Sequence, residues 1–214
     1  MKYNEDAKLI WESFLNKTDV YFSQYKPFIE KNTNYYAVII EPREHTDMLL
    51  SIRNTMYYLN ENNSKIKWGL QIFHGTKNEK FVKSFSKNWK NVKGDKALIF
   101  QTDSLLLRSG IDEFLEYDYI GAPWRKPKEG QLVGNGGLSL RSVTKMVEIC
   151  DKYSPNQQIW EDIFFIKHLK GQGVADYETA KRFSMEDVYS INPLGVHNPI
   201  RHIDPELLRS VLFK

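Results

Sequence analysis

Tyr35-Tyr36-Ala37-Val38-Ile39-Ile40-Glu41-Pro42 is a run of aromatic and β-branched residues that stops abruptly at an acid and a proline. Six such residues without polar alternation predict a strand covered on both faces, as in a parallel sheet. Downstream, Leu49, Leu50, Ile52, Arg53, Met56 and Leu59 recur at helical spacing, and Ile66 to Phe73 reads as a second strand ending at His74-Gly75. A polar, lysine-rich helical segment near residues 77–90 precedes a third strand, Ala97 to Phe100, which ends in Gln101-Thr102-Asp103-Ser104. Strand, helix, strand in this order predicts an α/β fold, and ligands of open parallel sheets sit outside the carboxyl ends of the strands.

Outward from this core, Ala7, Ile10, Trp11, Phe14 and Leu15 predict an N-terminal helix over residues 5–15 with an irregular extension to about residue 31. Tyr117 to Ile120 reads as a strand, Gly121-Ala122-Pro123-Trp124 as a turn and residues 125–130 as a Lys/Pro/Gly-rich loop. Val133 to Leu140 reads as one strand interrupted by glycines. With 214 residues, and no repeat or linker, the expected organisation is one domain over residues 1–214, with residues 1–33 as a helical extension packed on it.

Composition narrows the function classes. A 41% hydrophobic and 14% aromatic content is that of a globular chain. Its net charge of +3 is spread along the sequence and gives no nucleic-acid footprint. Lys80, Lys83, Lys87, Lys90 and Lys93 read as solvated surface or as a basic face toward an anionic partner. The lone Cys150 excludes an internal disulfide and a cysteine-built zinc site; with Val143, Met146 and Val147 it falls on an apolar helical stripe, so core packing is expected. The amino terminus lacks the apolar core of a signal peptide and no run reaches membrane-spanning length, so the expected location is the cytoplasm.

Four groups of residues have chemistry to offer. Asp103, directly after an apolar strand, either caps the following turn or holds a divalent cation on a diphosphate. Gly134-Asn135-Gly136-Gly137 allows close backbone approach to a ligand or forms a bulged turn, and matches neither a Walker loop nor a dinucleotide fingerprint. Glu161 and Asp162 are expected in the first turn of a helix, where they favour the dipole or, in a cleft, bind and deprotonate an acceptor hydroxyl. His197 is either a packed histidine or the second ligand of a metal begun by a distant aspartate. His45, His74, His168 and His202 show no His-Glu-x-x-His spacing, which speaks against hydrolytic zinc chemistry. Trp124, Trp160 and Tyr119 are rings for stacking on a sugar or base, or for the core.

The ordered series Ile39-Ile40-Glu41-Pro42-Arg43, Phe73-His74-Gly75, Phe100 to Ser104, Tyr117 to Trp124, Gly134 to Arg141 and Glu161-Asp162 resembles an uncharacterised, glycosyltransferase-like domain family of viruses and microbes, over roughly residues 35–200. The resemblance implies a single-domain, Rossmann-like fold of the A type, with a mixed, mostly parallel central sheet flanked by helices. It implies a glycosyltransferase (hexosyl- or related) that moves a sugar from a nucleotide-diphosphate donor, a UDP-sugar, to a hydroxyl on a glycan or other acceptor, with inversion. By it, Glu41, Arg43, His74, Gly75, Thr102, Asp103, Gly134, Asn135, Gly136 and Gly137 would border donor and nucleotide. Asp103 and His197 would hold Mn²⁺ or Mg²⁺, Trp124 and Trp160 would meet the acceptor, and Asp162 would be the base, with Glu161 beside it. Gln101 stands where the first acid of an Asp-x-Asp metal motif is expected, so Arg43, Arg125 and Lys126 are substitutes for stabilising the leaving diphosphate. A non-catalytic nucleotide- or glycan-binding module is the alternative that Gln101 supports. A glycoside hydrolase fits badly, because Glu161 and Asp162 are adjacent instead of flanking a sugar.

Overall fold

A computed structural model describes residues 5–41, 43, 45–60, 66–73, 91–154 and 159–214. The first helix, α1 (Glu5–Phe22), is longer than the apolar spacing of residues 5–15 predicts. Thr18 and Phe22 continue its buried stripe of Ala7, Ile10 and Trp11 by further turns, which carries the helix past the end of the obvious pattern. Strand β1 (Tyr35–Ile40), helix α2 (Met48–Asn60) and strand β2 (Gly69–Phe73) follow. β2 begins three residues later than the apolar run from Ile66 suggests. The Asn60 side chain takes both backbone groups of Trp68, donating to its carbonyl at 3.0 Å and accepting its N–H at 2.8 Å, and so withholds that residue from the ladder. The lysine-rich segment at 77–90, with Lys80, Lys83, Lys87 and Lys90, lies outside the described residues, as do His74 and Gly75.

Next come β3 (Lys96–Phe100), β4 (Ser104–Leu106), a 3₁₀ turn (Ile111–Phe114) and β5 (Tyr119–Gly121). The turn expected at 121–124 and the loop expected at 125–130 are instead β6 (Pro123–Lys128) and the start of a hairpin with β7 (Gln131–Val133). Its two-residue tip, Glu129-Gly130, has φ of 48° and 77°, the left-handed pair that joins twisted strands. The single strand expected from Val133 to Leu140 is likewise two, because Gly134 (φ 144°) breaks it. β7 pairs with β6, whereas β8 (Leu138–Ser142) enters the main sheet. Then follow α3 (Val143–Lys152), α4 (Glu161–Leu169), α5 (Tyr177–Phe183), β9 (Ser184–Met185), β10 (Gly195–His197) and α6 (Pro205–Leu212).

The main sheet has the order β2-β1-β3-β8-β5. β2, β1 and β3 are parallel, β8 is antiparallel to both its neighbours, and so β5 again runs with β3. Both faces are covered, which explains the uninterrupted apolar runs. On one face Ala37, Ile39, Leu98 and Phe100 pack with Ile52, Met56 and Leu59 of α2. On the other, Tyr36, Val38 and Ala97 pack with Met146 and Ile149 of α3 and Phe164, Phe165 and Ile166 of α4, and Cys150 is half-buried against this cluster. A third cluster joins α1 and α6 to Leu105 of β4 and Val196 of β10. β10 lies between β4 and β9 in a small second sheet, pairing antiparallel with β4 (His197 opposite Ser104) and parallel with β9. The reversal of β8 matters for the site, since it delivers the amino end of that strand, with Gly134 to Gly137, to the edge where β1 and β3 end. Among the described residues no helix is long and apolar enough to cross a membrane.

Candidate functional site

Glu41, immediately after β1, is 5% exposed, and the residue two positions on turns back to it. Arg43 donates through its backbone N–H and Nε to Glu41 Oε1, both at 2.9 Å, and through Nη2 to Oε2 at 3.1 Å. This side-chain pairing, opposed by burial, holds the Glu41 carboxyl below its usual range. Glu41 is therefore the anchor of Arg43, whose side chain remains 67% exposed. The guanidinium also senses the charge of Asp103.

β3 ends at Phe100, and Gln101, Thr102 and Asp103 form the turn into β4. Ser104 closes that turn: its Oγ accepts from Gln101 N at 3.2 Å and donates to Gly137 O at 3.0 Å. Thr102 is 6% exposed and its carbonyl accepts from Ser51 Oγ of α2 at 2.7 Å, which fixes the turn to the scaffold. Opposite the turn, β10 delivers His197. Its Nε2 lies 3.0 Å from Gln101 Oε1 and 3.3 Å from Asp103 Oδ1, and its Nδ1 lies 3.1 Å from Glu186 Oε2. Burial pushes the His197 imidazole down, but Asp103 and Glu186 on its two edges outweigh it and hold it up at about 10. Asp103 shows the reciprocal effect, with burial pushing its carboxyl up and the His197 hydrogen bond bringing it below the usual value.

The glycine-rich loop separates this cluster from the start of α4. Tyr119 Oη donates to Gly134 O at 2.9 Å, and Gly137 N donates to Asn135 Oδ1 at 2.9 Å, so Asn135 acts here on the loop itself. The close approach that the glycines permit is made by the protein's own side chains. A Cβ on Gly134 would overlap Ile166, one on Gly137 would overlap the His197 ring, and one on Gly136 would lie 2.9 Å from Glu161 Oε2 and 3.0 Å from Asp162 Cβ. Gly137→Ala is accordingly expected to destabilise the fold by about 1–3 kcal/mol, the usual cost of overpacking, and to displace the His197 ring. Denaturant unfolding and the ring NMR signals of His197 in the same variant check both effects.

α4 begins with Glu161 and Asp162, as the apolar spacing after them predicts. The two carboxylates have different surroundings. Glu161 is gripped through both oxygens by the guanidinium of Arg141 on β8, with Nη2 donating to Oε2 at 3.2 Å. Arg141 is 0% exposed, donates through Nε to Ser139 Oγ at 2.9 Å, and lies over the rings of Tyr119 and Phe165. Burial disfavours its charge, yet Glu161 outweighs that effect and holds the guanidinium above its ordinary range. Asp162 is half-buried, and its Oδ1 accepts from Ile163 N at 2.7 Å. Among the described residues its second oxygen has no hydrogen-bond partner.

Of the two tryptophans expected at an acceptor, Trp160 is 78% exposed immediately before α4. Trp124 is 1% exposed and packs in the core cluster beside α4. The ring of Trp124 thus packs in the interior, the second of the two roles that its sequence leaves open. Arg125 and Lys126 are exposed on β6, with Arg125 Nη1 3.4 Å from His202 Nδ1.

A divalent cation has a partial donor set here. Among the described residues no group of three His, Cys, Asp or Glu side chains is arranged to hold a metal. Asp103, His197 and the amide oxygen of Gln101 do converge, giving one carboxylate, one imidazole and one neutral oxygen. That set would suit a hard cation such as Mg²⁺ or Mn²⁺ only if further oxygen ligands came from outside the chain. Two charged residues of the site, Arg141 and Glu186, escaped the sequence reading. Each sits in or just after a short buried strand, the position that drew attention to Asp103.

The family described as "Protein of unknown function (DUF5672)" matches residues 70–197. No curated protein matches. Among solved structures, the apo-form glycosyltransferase GlyE of Streptococcus pneumoniae TIGR4 is similar with 13% identity and a TM-score of 0.48, over 77% of this chain and 54% of that one. The mannosyltransferase PcManGT of Pyrobaculum calidifontis, in complex with GDP-Man and Mn²⁺, is similar with 10% identity and a TM-score of 0.42, over 75% of this chain and 61% of that one. The chain thus matches 54% and 61% of the length of these two proteins.

Proposed function

The chain belongs to the family described as protein of unknown function (DUF5672), and for this member we propose glycosyl transfer from a nucleotide-diphosphate sugar to an acceptor hydroxyl, with inversion. The observation that carries the reading is the position of the glycine loop: Gly137 lies against His197, and Gly136 against Glu161 and Asp162. One residue of backbone therefore separates a cluster suited to a diphosphate from a carboxylate suited to an acceptor.

Inverting transfer needs negative charge stabilised on the leaving group and a base on the other side of the sugar. Asp103, His197 and Gln101 would hold the cation, which when bound neutralises the diphosphate as it departs. Arg43, steadied by Glu41, adds a second positive group on the nucleotide side. Asp162 takes the acceptor proton as the acceptor oxygen bonds to the anomeric carbon; the bond from that carbon to the diphosphate oxygen breaks, and its electron pair leaves with the diphosphate. Trp160, open to solvent beside Asp162, offers a face for an acceptor sugar.

Gln101 in place of an acid favours a second reading, a nucleotide- or glycan-binding module without turnover. Thermal unfolding against a panel of nucleoside diphosphates and nucleotide sugars, UDP-sugars first, with and without Mn²⁺, separates the two when combined with a hydrolysis and transfer assay. A ligand at 100 times its Kd stabilises by about 2.7 kcal/mol, a rise of roughly 5–10 °C for a chain of this size. Metal-dependent stabilisation with turnover is expected; stabilisation without turnover across acceptors would favour the binding module, and no response to any nucleotide would remove the donor assignment.

A further inference from the structure

Glu186 follows β9 and is 7% exposed. A carboxylate so placed is costly to bury unless something donates to it. Its Oε2 faces His197 Nδ1 at 3.1 Å as an ion pair, and neither atom has a regular hydrogen-bond partner among the described residues. Their proximity is set by the backbone. β9 and β10 are parallel, with Gly195 beside Ser184 and Val196 beside Met185, so the same register continued by one residue brings His197 beside Glu186. On the far edge of the ring, Nε2 points at Gln101 Oε1 and Asp103 Oδ1. The ring is also held over its flat face, because Gly137 leaves no room between it and the loop.

We propose that Glu186 is a positioning residue for His197: its carboxylate keeps the proton on Nδ1 and so turns Nε2, with its lone pair, toward a divalent cation shared with Asp103 and Gln101. An imidazole that donates from one nitrogen to a carboxylate is fixed in tautomer and orientation at the other, and outer partners of this kind influence metal affinity by one to two orders of magnitude. The proposal rests on the cation site of the preceding subsection.

The test uses Mn²⁺ alone, without nucleotide, titrated into the whole protein and followed by the electron paramagnetic resonance signal of free Mn²⁺. Glu186→Leu, which cannot accept the Nδ1 hydrogen bond, is expected to weaken binding about 10–100-fold. Glu186→Gln keeps an acceptor oxygen and should recover most of that loss, a rescue that a purely space-filling role would not require. Asp103→Asn, which removes a direct ligand, serves as the reference for a damaged site. Equal affinity in the wild type and Glu186→Leu would overturn the role of Glu186 and leave the cation site standing. A wild type that binds Mn²⁺ no better than Asp103→Asn would overturn the cation site and this role with it. If the leucine variant does not fold, the ring ¹⁵N–¹H correlations of His197 in the Mg²⁺-loaded wild type decide: a proton on Nδ1 is expected, and a proton on Nε2 overturns the proposal.

Discussion

Asp162→Asn is expected to lower transfer by about 10²–10⁴-fold while leaving donor binding close to that of the wild type. The substitution preserves size and the acceptor for Ile163 N, but removes the only property a base requires. Glu161, next in the chain, is poorly placed to replace it, because both its oxygens are gripped by Arg141. Steady-state rates over a range of acceptor concentrations, with donor affinity from calorimetry, check the two halves of the statement. Transfer at the normal rate would place the base elsewhere, and a product of retained anomeric configuration would reject inversion.

The second large effect concerns stability. Removing Glu161 alone leaves Arg141 charged and 0% exposed between aromatic rings, so Glu161→Leu is expected to cost about 3–5 kcal/mol, the range for breaking one side of a buried ion pair. The double variant Arg141→Met with Glu161→Leu should recover most of that loss, because two apolar side chains of similar volume need no counter-charge. Urea unfolding of the singles and the double measures the coupling directly. A Glu161→Leu cost below about 1 kcal/mol would mean that Ser139 Oγ, the Gly136 carbonyl and the remaining neighbours satisfy the guanidinium without Glu161.

Elements whose own residues carry the signal were readable in the sequence. Tyr35 to Ile40 is apolar throughout because the sheet is covered on both sides, and Phe164, Phe165, Ile166 and Leu169 mark α4, so the two carboxylates before them fell at its start. The β6–β7 hairpin was not readable, since Arg125-Lys126-Pro127-Lys128 is an exposed strand whose pairing depends on Gln131 to Val133 and on the conformation of Glu129-Gly130. Helical periodicity likewise underestimated α1, whose later turns are buried through a threonine and a phenylalanine spaced four apart. For the site, Asp103 stood out as a carboxylate directly after an apolar strand, and His197 as an imidazole able to join a distant aspartate. Arg141 and Glu186 did not, because a buried charge is explained only by its partner: Glu161 is 20 residues from the first and His197 is 11 from the second. The glycines read either as room for a ligand or as a bulged turn; the side chains that pack against them come from α4 and β10 and leave no trace in the local sequence.

The three-rung ladder between β4 and β10 works as a gauge for the proposed cation site. Asp103 immediately precedes the first rung of β4 and His197 ends β10, and Asn198 N donates to Asp103 O at 3.1 Å just beyond. The separation of the aspartate and the histidine is thus fixed by paired peptides and not by the reach of two side chains. Sliding β10 by one position would exchange the imidazole for Val196 or Asn198 and invert which face each presents. An insertion of one residue in either strand should therefore abolish the site more completely than many side-chain substitutions within it, whereas length changes in the exposed Glu129-Gly130 tip leave this spacing untouched.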